Sequence, residues 1–428
     1  MASTLAAAPS ERSNIGPMVI IGVLFFIMGF FTWLNGPLIS FVKVAFMLDD
    51  INAFLVPFAF YVSYFVLALP AGAVLKRTGM KKGMVLGLFV MAIGAALFGE
   101  FVRIRVYYGA LTGLFVIGAG LSLLQTASNP YISILGPIES AAQRIGVMGI
   151  CNKIAGAIAP LAFGVLVLKG IDAFLEKVTA MPTGPDREAL LNDFAARVYW
   201  PYMAVAGLLV LIAVVIVFSA LPEIKPAGAN SERSVGHGKG GIFSFPHLWL
   251  GVLCLFLYVG VEVMAGDAIN TYGQGFGLPL QVTSHFTTYT MVAMLVGYLV
   301  GSALIPRVIS QQRYLAVSAV LGVLFALGAF VTHGYVSVAF VAALGFANAM
   351  MWPAIFPLAI KGLGSHTELG SALLIMGIVG GALLPQAFVH LKQHIDFQLA
   401  FVIVIVPCYL YILYYGLRGH RVGQHVAG

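Results

Sequence analysis

The sequence predicts an all-α membrane protein in which twelve transmembrane helices form two pseudo-symmetric six-helix bundles. Three observations lead to this fold class: an apolar composition, twelve long apolar runs, and a repeat that relates the two halves of the chain. Of the 428 residues, 60% are hydrophobic and only 9% are charged, and the mean hydropathy is +0.98. Soluble domains carry about 25% charged residues, so lipid is the expected solvent for most of this chain.

The apolar runs are long enough to cross a bilayer, whose hydrocarbon core takes about 20 helical residues. Gly and Pro recur inside the runs, as membrane helices tolerate. The first run is too long for a signal peptide and is therefore predicted to be a true span. The twelve runs cover residues 17–45, 52–75, 83–101, 107–134, 143–169, 198–220, 246–275, 281–304, 314–332, 336–360, 368–391 and 398–417.

A segment rich in Gly, Ser and Pro, residues 221–245, separates the first six runs from the last six. Such a composition is typical of a flexible linker. The predicted domains are therefore an N-terminal bundle, 1–220, and a C-terminal bundle, 246–428, joined by this linker. Residues 170–197 are expected to form a second long loop on the other side of the membrane.

Basic residues are concentrated in one set of loops, and the opposite loops mix basic with acidic residues. Cytoplasmic loops carry the excess of Lys and Arg, so both termini and the linker are expected to be cytoplasmic, with the chain in the cell inner membrane. The net charge of +7 is explained by these loops and not by binding to nucleic acid. The basic set contains Lys76, Arg77, Lys81, Lys82, Arg144, Lys225, Arg233, Lys239, Arg307, Arg313 and Lys361.

The two halves repeat each other in sequence. Gly156–Phe163 reads GAIAPLAF and Gly381–Phe388 reads GALLPQAF, with five of eight positions identical, and each lies in the fifth run of its half. Near the first run of each half, GVLFFIMGFF from Gly22 matches GVLCLFLYVG from Gly251 at a similar spacing. A parallel repeat of six spans is typical of one large class of secondary transporters.

Several longer motifs resemble one branch of that class. They are AFYVSYFVLALPAG (Ala59–Gly72), LLQTASNPYISILGP (Leu123–Pro137), FLYVGVEV (Phe256–Val263) and the stretch Asn348–Pro385. Together they resemble the fucose–glucose/galactose branch of the major facilitator superfamily, and the bacterial glucose/galactose transporters most closely. The resemblance implies the major facilitator fold, sugar transport, and a cavity lined by the first, fourth, seventh and tenth spans.

Two departures from the fucose–proton symporter pattern concern ion coupling. That pattern has an Asn-Asp pair in the first span, where this chain has Asn35 and Gly36, and a Glu in the fourth span, where this chain has Gln125. Both carboxylates implied in proton coupling are therefore missing. The coupling cation is left open between Na⁺ and H⁺, and a bound Na⁺ is the one cofactor considered.

Amide side chains inside the spans are the candidate sugar ligands, since one amide offers both a donor and an acceptor. An aromatic ring can also cover the C–H face of a pyranose, and Trp352 is the candidate for that role. The alternative is that these groups only hold the bundle together; Asn35 could instead cap a break in the first span, and Trp33 is expected to pack or to face lipid. The substrate-binding candidates are Asn35, Gln125, Asn129, Asn152, Asn270, Gln274, Asn348 and Trp352.

Three charged residues inside the spans are the ion-coupling candidates: Glu262, Asp267 and Lys153. Charged groups within a membrane are costly, so they indicate function. We expect Lys153 to pair with Asp267 or Glu262 and to replace the coupling chemistry missing at Gly36 and Gln125. The alternative is that Lys153 extends along its apolar stem to the membrane interface.

The sequence thus predicts a secondary active hexose transporter that works by alternating access, as a monomer in the lipid bilayer, with a sugar and a coupling cation as its partners. The alternatives are transport of another small solute (N-acetylglucosamine, L-fucose or a drug-like cation), an uncoupled sugar uniporter, and a membrane sensor without transport. An enzyme is not expected, because no nucleophile–base pair or metal-ligand cluster occurs. No phosphate-binding Gly-rich loop or nucleotide-binding domain is evident, so ATP is not expected to drive transport.

Overall fold

The computed structural model describes residues 15–134, 141–219, 221–223, 241–305 and 307–423. Every regular element in these ranges is helical, and twelve helical segments are long and apolar enough to cross a membrane. Six precede the predicted linker and six follow it, which confirms the fold class. Most of the linker, 224–240, lies outside the described residues, as do residues 1–14, so the domain boundaries stay a prediction.

The first half contains spans 1 to 6. Two of its spans consist of two consecutive helices, and two short helices connect spans 5 and 6. Span 1 comprises α1 (Ile15–Trp33) and α2 (Asn35–Ala45), span 2 α3 (Asp50–Ala53) and α4 (Leu55–Thr78), span 3 α5 (Met80–Arg103), span 4 α6 (Tyr107–Ile134) and span 5 α7 (Ala141–Leu166); the connection is α8 (Ile171–Ala180) and α9 (Pro185–Ala196), and span 6 is α10 (Tyr199–Phe218).

The second half contains spans 7 to 12, four of which are interrupted. Span 7 comprises α11 (Pro246–Gly266) and α12 (Ala268–Gln274), span 8 α13 (Leu280–Thr283) and α14 (Phe286–Leu304), span 9 α15 (Gln311–Val331), span 10 α16 (Gly334–Asn348) and α17 (Met351–Ile360), span 11 α18 (Thr367–Met376) and α19 (Gly380–Leu391), and span 12 α20 (Phe397–Leu417). A 3₁₀ turn joins α18 to α19.

The prediction of a loop at residues 170–197 was wrong, because this segment forms α8 and α9. Its apolar side chains recur at the spacing of one helical face, i, i+3, i+4 and i+7, in Ile171, Phe174, Leu175 and Val178. Ile171 and Val178 are fully buried. The charged residues between these positions make the segment polar on average, which favoured the prediction of a loop. The helical spacing of its apolar residues nevertheless indicates an amphipathic helix.

The repeated segments lie at equivalent contacts between the two halves. Span 5 packs against span 1 and against span 8 of the other half, and span 11 packs against span 7 and against span 2 of the other half. A Cβ at Gly156 would collide with the Trp33 ring, and a Cβ at Gly381 would lie 3.1 Å from the Tyr61 ring. The repeat therefore keeps small residues where the helices approach most closely.

An even number of spans returns the chain to the side of the membrane on which it began. We call this the terminal side, because Ile15 and Leu417 both lie there, and the other the opposite side. Large apolar side chains remain exposed on the helices, among them Val165, Phe218 and Leu299. Such a surface suits contact with lipid, whereas a water-soluble protein rarely exposes it.

Candidate functional site

Three spans are interrupted beside polar residues that the sequence singled out. Span 1 breaks at Leu34, span 7 at Asp267, and span 10 between Asn348 and Met351. In span 1 the cause is Pro37, which has no N–H to donate to the preceding turn. Asn35 donates its Nδ2 to the Thr32 carbonyl oxygen at 3.1 Å. This contact fits the helix-break alternative for Asn35, and its role as a sugar ligand stays a prediction.

Lys153 of span 5 forms an ion pair with Glu262 of span 7 across the two halves. Its Nζ lies 3.0 Å from Glu262 Oε1 and 4.4 Å from the centroid of the Trp33 ring. Lys153 is 6% and Glu262 8% exposed, so Lys153 does not extend to the membrane interface. Of the two acids that the sequence offered as its partner, the structure selects Glu262. Trp33 is buried in this contact and does not face lipid.

Asp267 is a second buried acid, and it lies at the break of span 7. The residue is 0% exposed, and neither carboxylate oxygen accepts a hydrogen bond from a described residue. The backbone N–H of Gly36 and the hydroxyl of Tyr61 face the carboxylate, but neither completes a hydrogen bond with it. Buried polar groups without a hydrogen-bond partner are rare in folded proteins, so Asp267 calls for a functional explanation.

Tyrosines that the sequence reasoning missed surround Glu262. Tyr258, Tyr298 and Tyr409 lie near its carboxylate, and Tyr409 donates its hydroxyl to Asn348 Oδ1 at 2.9 Å. The polar group therefore continues from the ion pair to the break in span 10. Tyr258 could have been found from sequence, because it precedes Glu262 by four residues and so shares its helical face.

The amides of spans 5 and 7 bind neighbouring helices. Asn152 donates to the Phe25 carbonyl oxygen at 3.3 Å, Asn270 donates to Thr287 Oγ1 at 3.2 Å, and Gln274 donates to Ser40 Oγ at 3.4 Å. These contacts join span 5 to span 1, span 7 to span 8, and span 7 to span 1. They match the alternative in which the amides stabilise the bundle.

The candidates on spans 4 and 10 differ in burial, since Asn348 is 0% exposed. Gln125, Asn129 and Trp352 are half-buried and lie in the terminal-side halves of their spans. The Trp352 ring stacks on Phe356, with centroids 5.9 Å apart and planes 22° from parallel. Two further polar atoms beside the breaks of spans 1 and 10, Trp33 Nε1 and Asn348 Nδ2, are buried without a partner among the described residues.

On the opposite side, the two halves are joined by several polar contacts. Asp172 of α8 accepts from the backbone N–H groups of Leu280 and Gln281 at 2.7 and 3.0 Å. Lys392 of span 11 pairs with Asp50 of span 2. Near them α2 packs against α12, where Gln274 meets Ser40. The halves are therefore closed together on this side.

The terminal side is held differently. An exposed ion pair, Lys76 with Glu368 at 3.1 Å, joins spans 2 and 11 there. Glu223, which follows span 6, accepts from the backbone N–H groups of Lys81 and Lys82 at 3.0 and 3.2 Å, within the same half. Exposed ion pairs contribute little stability, about 0–1 kcal/mol, so the contact on this side rests mainly on the packing of α18 against α4.

Twelve spanning helices in two related halves, with charged and amide groups at broken helices along their contact, define a secondary membrane transporter. The chain belongs to the Major Facilitator Superfamily, whose family model matches residues 21–385. It is a multi-pass membrane protein and a transporter, not an enzyme.

Relatives of known description cover nearly the whole chain. A glucose/galactose transporter of Brucella abortus (strain 9-941) is 34% identical over 417 residues, 96% of each chain. An L-fucose-proton symporter of Escherichia coli (strain K12) is 30% identical over 381 residues, 88% of this chain and 86% of the symporter. A crystal structure of the transporter FucP in the outward conformation superposes with a TM-score of 0.75 at 28% identity, covering 95% of this chain and 99% of FucP.

Proposed function

We propose that this chain takes up a hexose of the glucose/galactose class across the bacterial inner membrane by alternating access, driven by a cation gradient. The observation that carries the substrate class is the similarity to the Brucella abortus glucose/galactose transporter over 96% of both chains. The relative described as an L-fucose-proton symporter is less similar, so L-fucose is a competitor to be tested. Coupling is supported by the buried charges at the contact between the halves.

Sugar binding falls to the amides and to Trp352. Gln125, Asn129 and Trp352 are half-buried and lie in the terminal-side halves of their spans, so we assign them the contacts with a sugar when the halves open on that side. The unpartnered Trp33 Nε1 and Asn348 Nδ2 are donors that hydroxyl groups of a sugar would satisfy, since a buried donor left unpaired costs about 1–3 kcal/mol. Asn35, Asn152, Asn270 and Gln274 then rearrange as the opposite side opens.

The basic loops lie on the terminal side, which on the positive-inside rule is the cytoplasm. Both termini are then cytoplasmic, and the firm contacts of Asp172, Lys392 and Gln274 close the periplasmic side. The present conformation is therefore closed to the periplasm, whereas the similar FucP structure is described as outward. All the contacts that open and close in this scheme lie within one chain, so a monomer suffices.

The ion-coupling group comprises Glu262, Asp267 and Lys153. In an alternating-access cycle, a buried carboxylate binds the cation while the site is open to one side and releases it after the site opens to the other. By reciprocity, a cation that raises the affinity for sugar has its own affinity raised by sugar to the same extent.

Counterflow in proteoliposomes tests the transport proposal. Vesicles loaded with unlabelled glucose or galactose should take up the labelled sugar, and L-fucose, N-acetylglucosamine and a cationic drug should compete poorly. Trp352→Ala should weaken apparent sugar affinity by about tenfold, the loss of one stacking contact of about 1.4 kcal/mol. The matched control, Trp200→Ala, changes a tryptophan that is 75% exposed and should leave counterflow unchanged. Absence of counterflow with both hexoses would overturn the proposal.

A further inference from the structure

The two acids of span 7 differ in how their charge is compensated. Glu262 lies 3.0 Å from the ammonium of Lys153, which itself sits over the Trp33 ring. Asp267 is fully buried, and neither of its oxygens accepts a hydrogen bond from a described residue. A buried charge without a partner is strongly unfavourable, so the closed conformation favours the neutral carboxylic acid at Asp267.

No cation is available to Asp267 from the elements packed around it. The titratable groups that face it are Tyr61 of α4 and Glu262 of α11, and neither is a cation. Helices α1, α14 and α16 contain no charged residue. Lys43, the one charged residue of α2, pairs with Asp50, and Lys153 of α7 is committed to Glu262.

A metal cation is poorly accommodated beside Asp267, because it would require several oxygen ligands. Nearby, Thr290 donates to the Ala265 carbonyl oxygen at 2.7 Å and Thr287 bonds with Asn270. The unengaged Tyr61 hydroxyl alone falls short of the ligand set that a metal cation needs. From span 1 the carboxylate is approached by an N–H group of Gly36. A proton satisfies the carboxylate without further ligands.

The position of Asp267 connects its charge to the movement of the halves. It lies where α12 packs on α2 and the periplasmic side closes. A methyl group at Gly36 would contact Thr287 Oγ1 and come within 3.0 Å of Asn270 Nδ2, so the two spans touch with no space for hydration of an ion. An ionised Asp267 would hold this contact open.

We propose that Asp267 is the proton carrier of this transporter and that the Lys153–Glu262 ion pair does not exchange protons but connects the two halves. In the conformation open to the periplasm, the ionised Asp267 takes one proton from water to form the neutral acid. The contact between spans 1 and 7 then closes over it, and opening to the cytoplasm returns the proton to water. One proton crosses per cycle with each sugar, so this inference rests on the proposed function.

Asp267→Asn, which keeps the shape of the neutral acid, separates coupling from transport. The parent should accumulate hexose in proteoliposomes with an acidic exterior and no Na⁺. For one proton per sugar, a one-unit pH gradient sustains an about tenfold internal excess. Asp267→Asn should retain counterflow, lose its pH dependence, and show an accumulation ratio of about one. Asp267→Glu, which keeps a carboxylate, should still accumulate sugar.

Each result of this experiment has a distinct meaning. If the parent shows no hexose counterflow, the proposed function fails. If the parent accumulates hexose and Asp267→Asn does so to the same ratio, Asp267 is not the carrier. Accumulation that follows a Na⁺ gradient and ignores pH overturns the proton assignment. Should Asp267→Asn fail to fold, the parent alone remains decisive: hexose entry must make a lightly buffered exterior more alkaline, and its failure to do so refutes the inference.

Discussion

Removing one partner of the Lys153–Glu262 pair should destabilise the protein far more than removing both. The pair is nearly inaccessible to solvent, with side-chain exposures of 8% and 11% and an Nζ–Oε1 distance of 3.0 Å. Lys153→Met leaves the Glu262 carboxylate buried without its cation, and loss of one partner from a buried pair costs about 3–5 kcal/mol. The lost contact with the Trp33 ring, worth up to about 2 kcal/mol, is included in that range.

The double variant Lys153→Met/Glu262→Met should recover most of the lost stability, because a buried pair can be replaced by apolar residues of similar volume at little net cost. A cost of about 1–2 kcal/mol is expected for the polar groups around Glu262, such as the Tyr258 hydroxyl, that lose a partner. With each single variant costing about 3–5 kcal/mol, the double-mutant cycle should then give a coupling of at least about 4 kcal/mol, above the usual range for residues in contact.

The measurement is unfolding of the purified protein in detergent by titration with sodium dodecyl sulfate, followed by circular dichroism. Lys76→Met is the matched control, since Lys76 also joins the two halves by an ion pair with an acid, Glu368, but their side chains are 60% and 46% exposed. Its cost should stay below about 1 kcal/mol. If Lys153→Met costs no more than Lys76→Met, or if the costs of Lys153→Met and Glu262→Met simply add in the double variant, the reasoning is refuted.

Three other substitutions test the contact that closes the opposite side. Gly36→Ala places a methyl group against Thr287 Oγ1 and should disfavour closure by about 1–3 kcal/mol, seen as faster labelling of a cysteine placed in α2 by a membrane-impermeant reagent; unchanged labelling would contradict it. Asp172→Ala removes two hydrogen bonds to backbone N–H groups of the other half. It should disfavour closure by a smaller amount, about 1 kcal/mol, seen as a smaller increase of the labelling rate in the same assay. Pro37→Ala restores a donor for the Trp33 carbonyl and should raise stability by about 1 kcal/mol while slowing counterflow; equal or faster counterflow would show that the break in span 1 is not needed for transport.

Hydropathy predicted the spans well because lipid favours apolar side chains along the whole length of a span. The twelve predicted runs correspond to the twelve spans of the structure. Pro353 marks the interruption of span 10 after Asn348, but no proline lies in the turn after Asp267, so the sequence could not place the interruption of span 7 or the extent of these breaks. Those interruptions depend on which helices lie alongside, and that is a property of the assembled bundle.

The sequence predicted which types of residue form the candidate site, but not how those residues are arranged. A lysine inside a span must find an acid or water, which is why a partner for Lys153 was expected from sequence alone. The choice of Glu262 over Asp267 required the structure, because only five residues separate the two acids along span 7 and the helix breaks at the second. The roles of the amides stay predictions, and Asn152, Asn270 and Gln274 are engaged with neighbouring helices in this conformation.

The internal repeat gives the ion pair a further meaning. The register that aligns Gly22 with Gly251 also aligns Trp33 with Glu262, and the structure brings both of these equivalent positions to the same ammonium, at 4.4 Å from the ring centroid and 3.0 Å from the carboxylate. Lys153 thus contacts the pseudo-twofold-related positions of spans 1 and 7 at once. The register of the fifth spans aligns Lys153 itself with Ile378, which is buried and apolar. One half supplies this cation and the other the acids, so a fold built on equivalent halves acquires a charged connection deep in their contact, besides the Lys76–Glu368 and Asp50–Lys392 pairs at the two ends. Any movement of one half against the other must act on it.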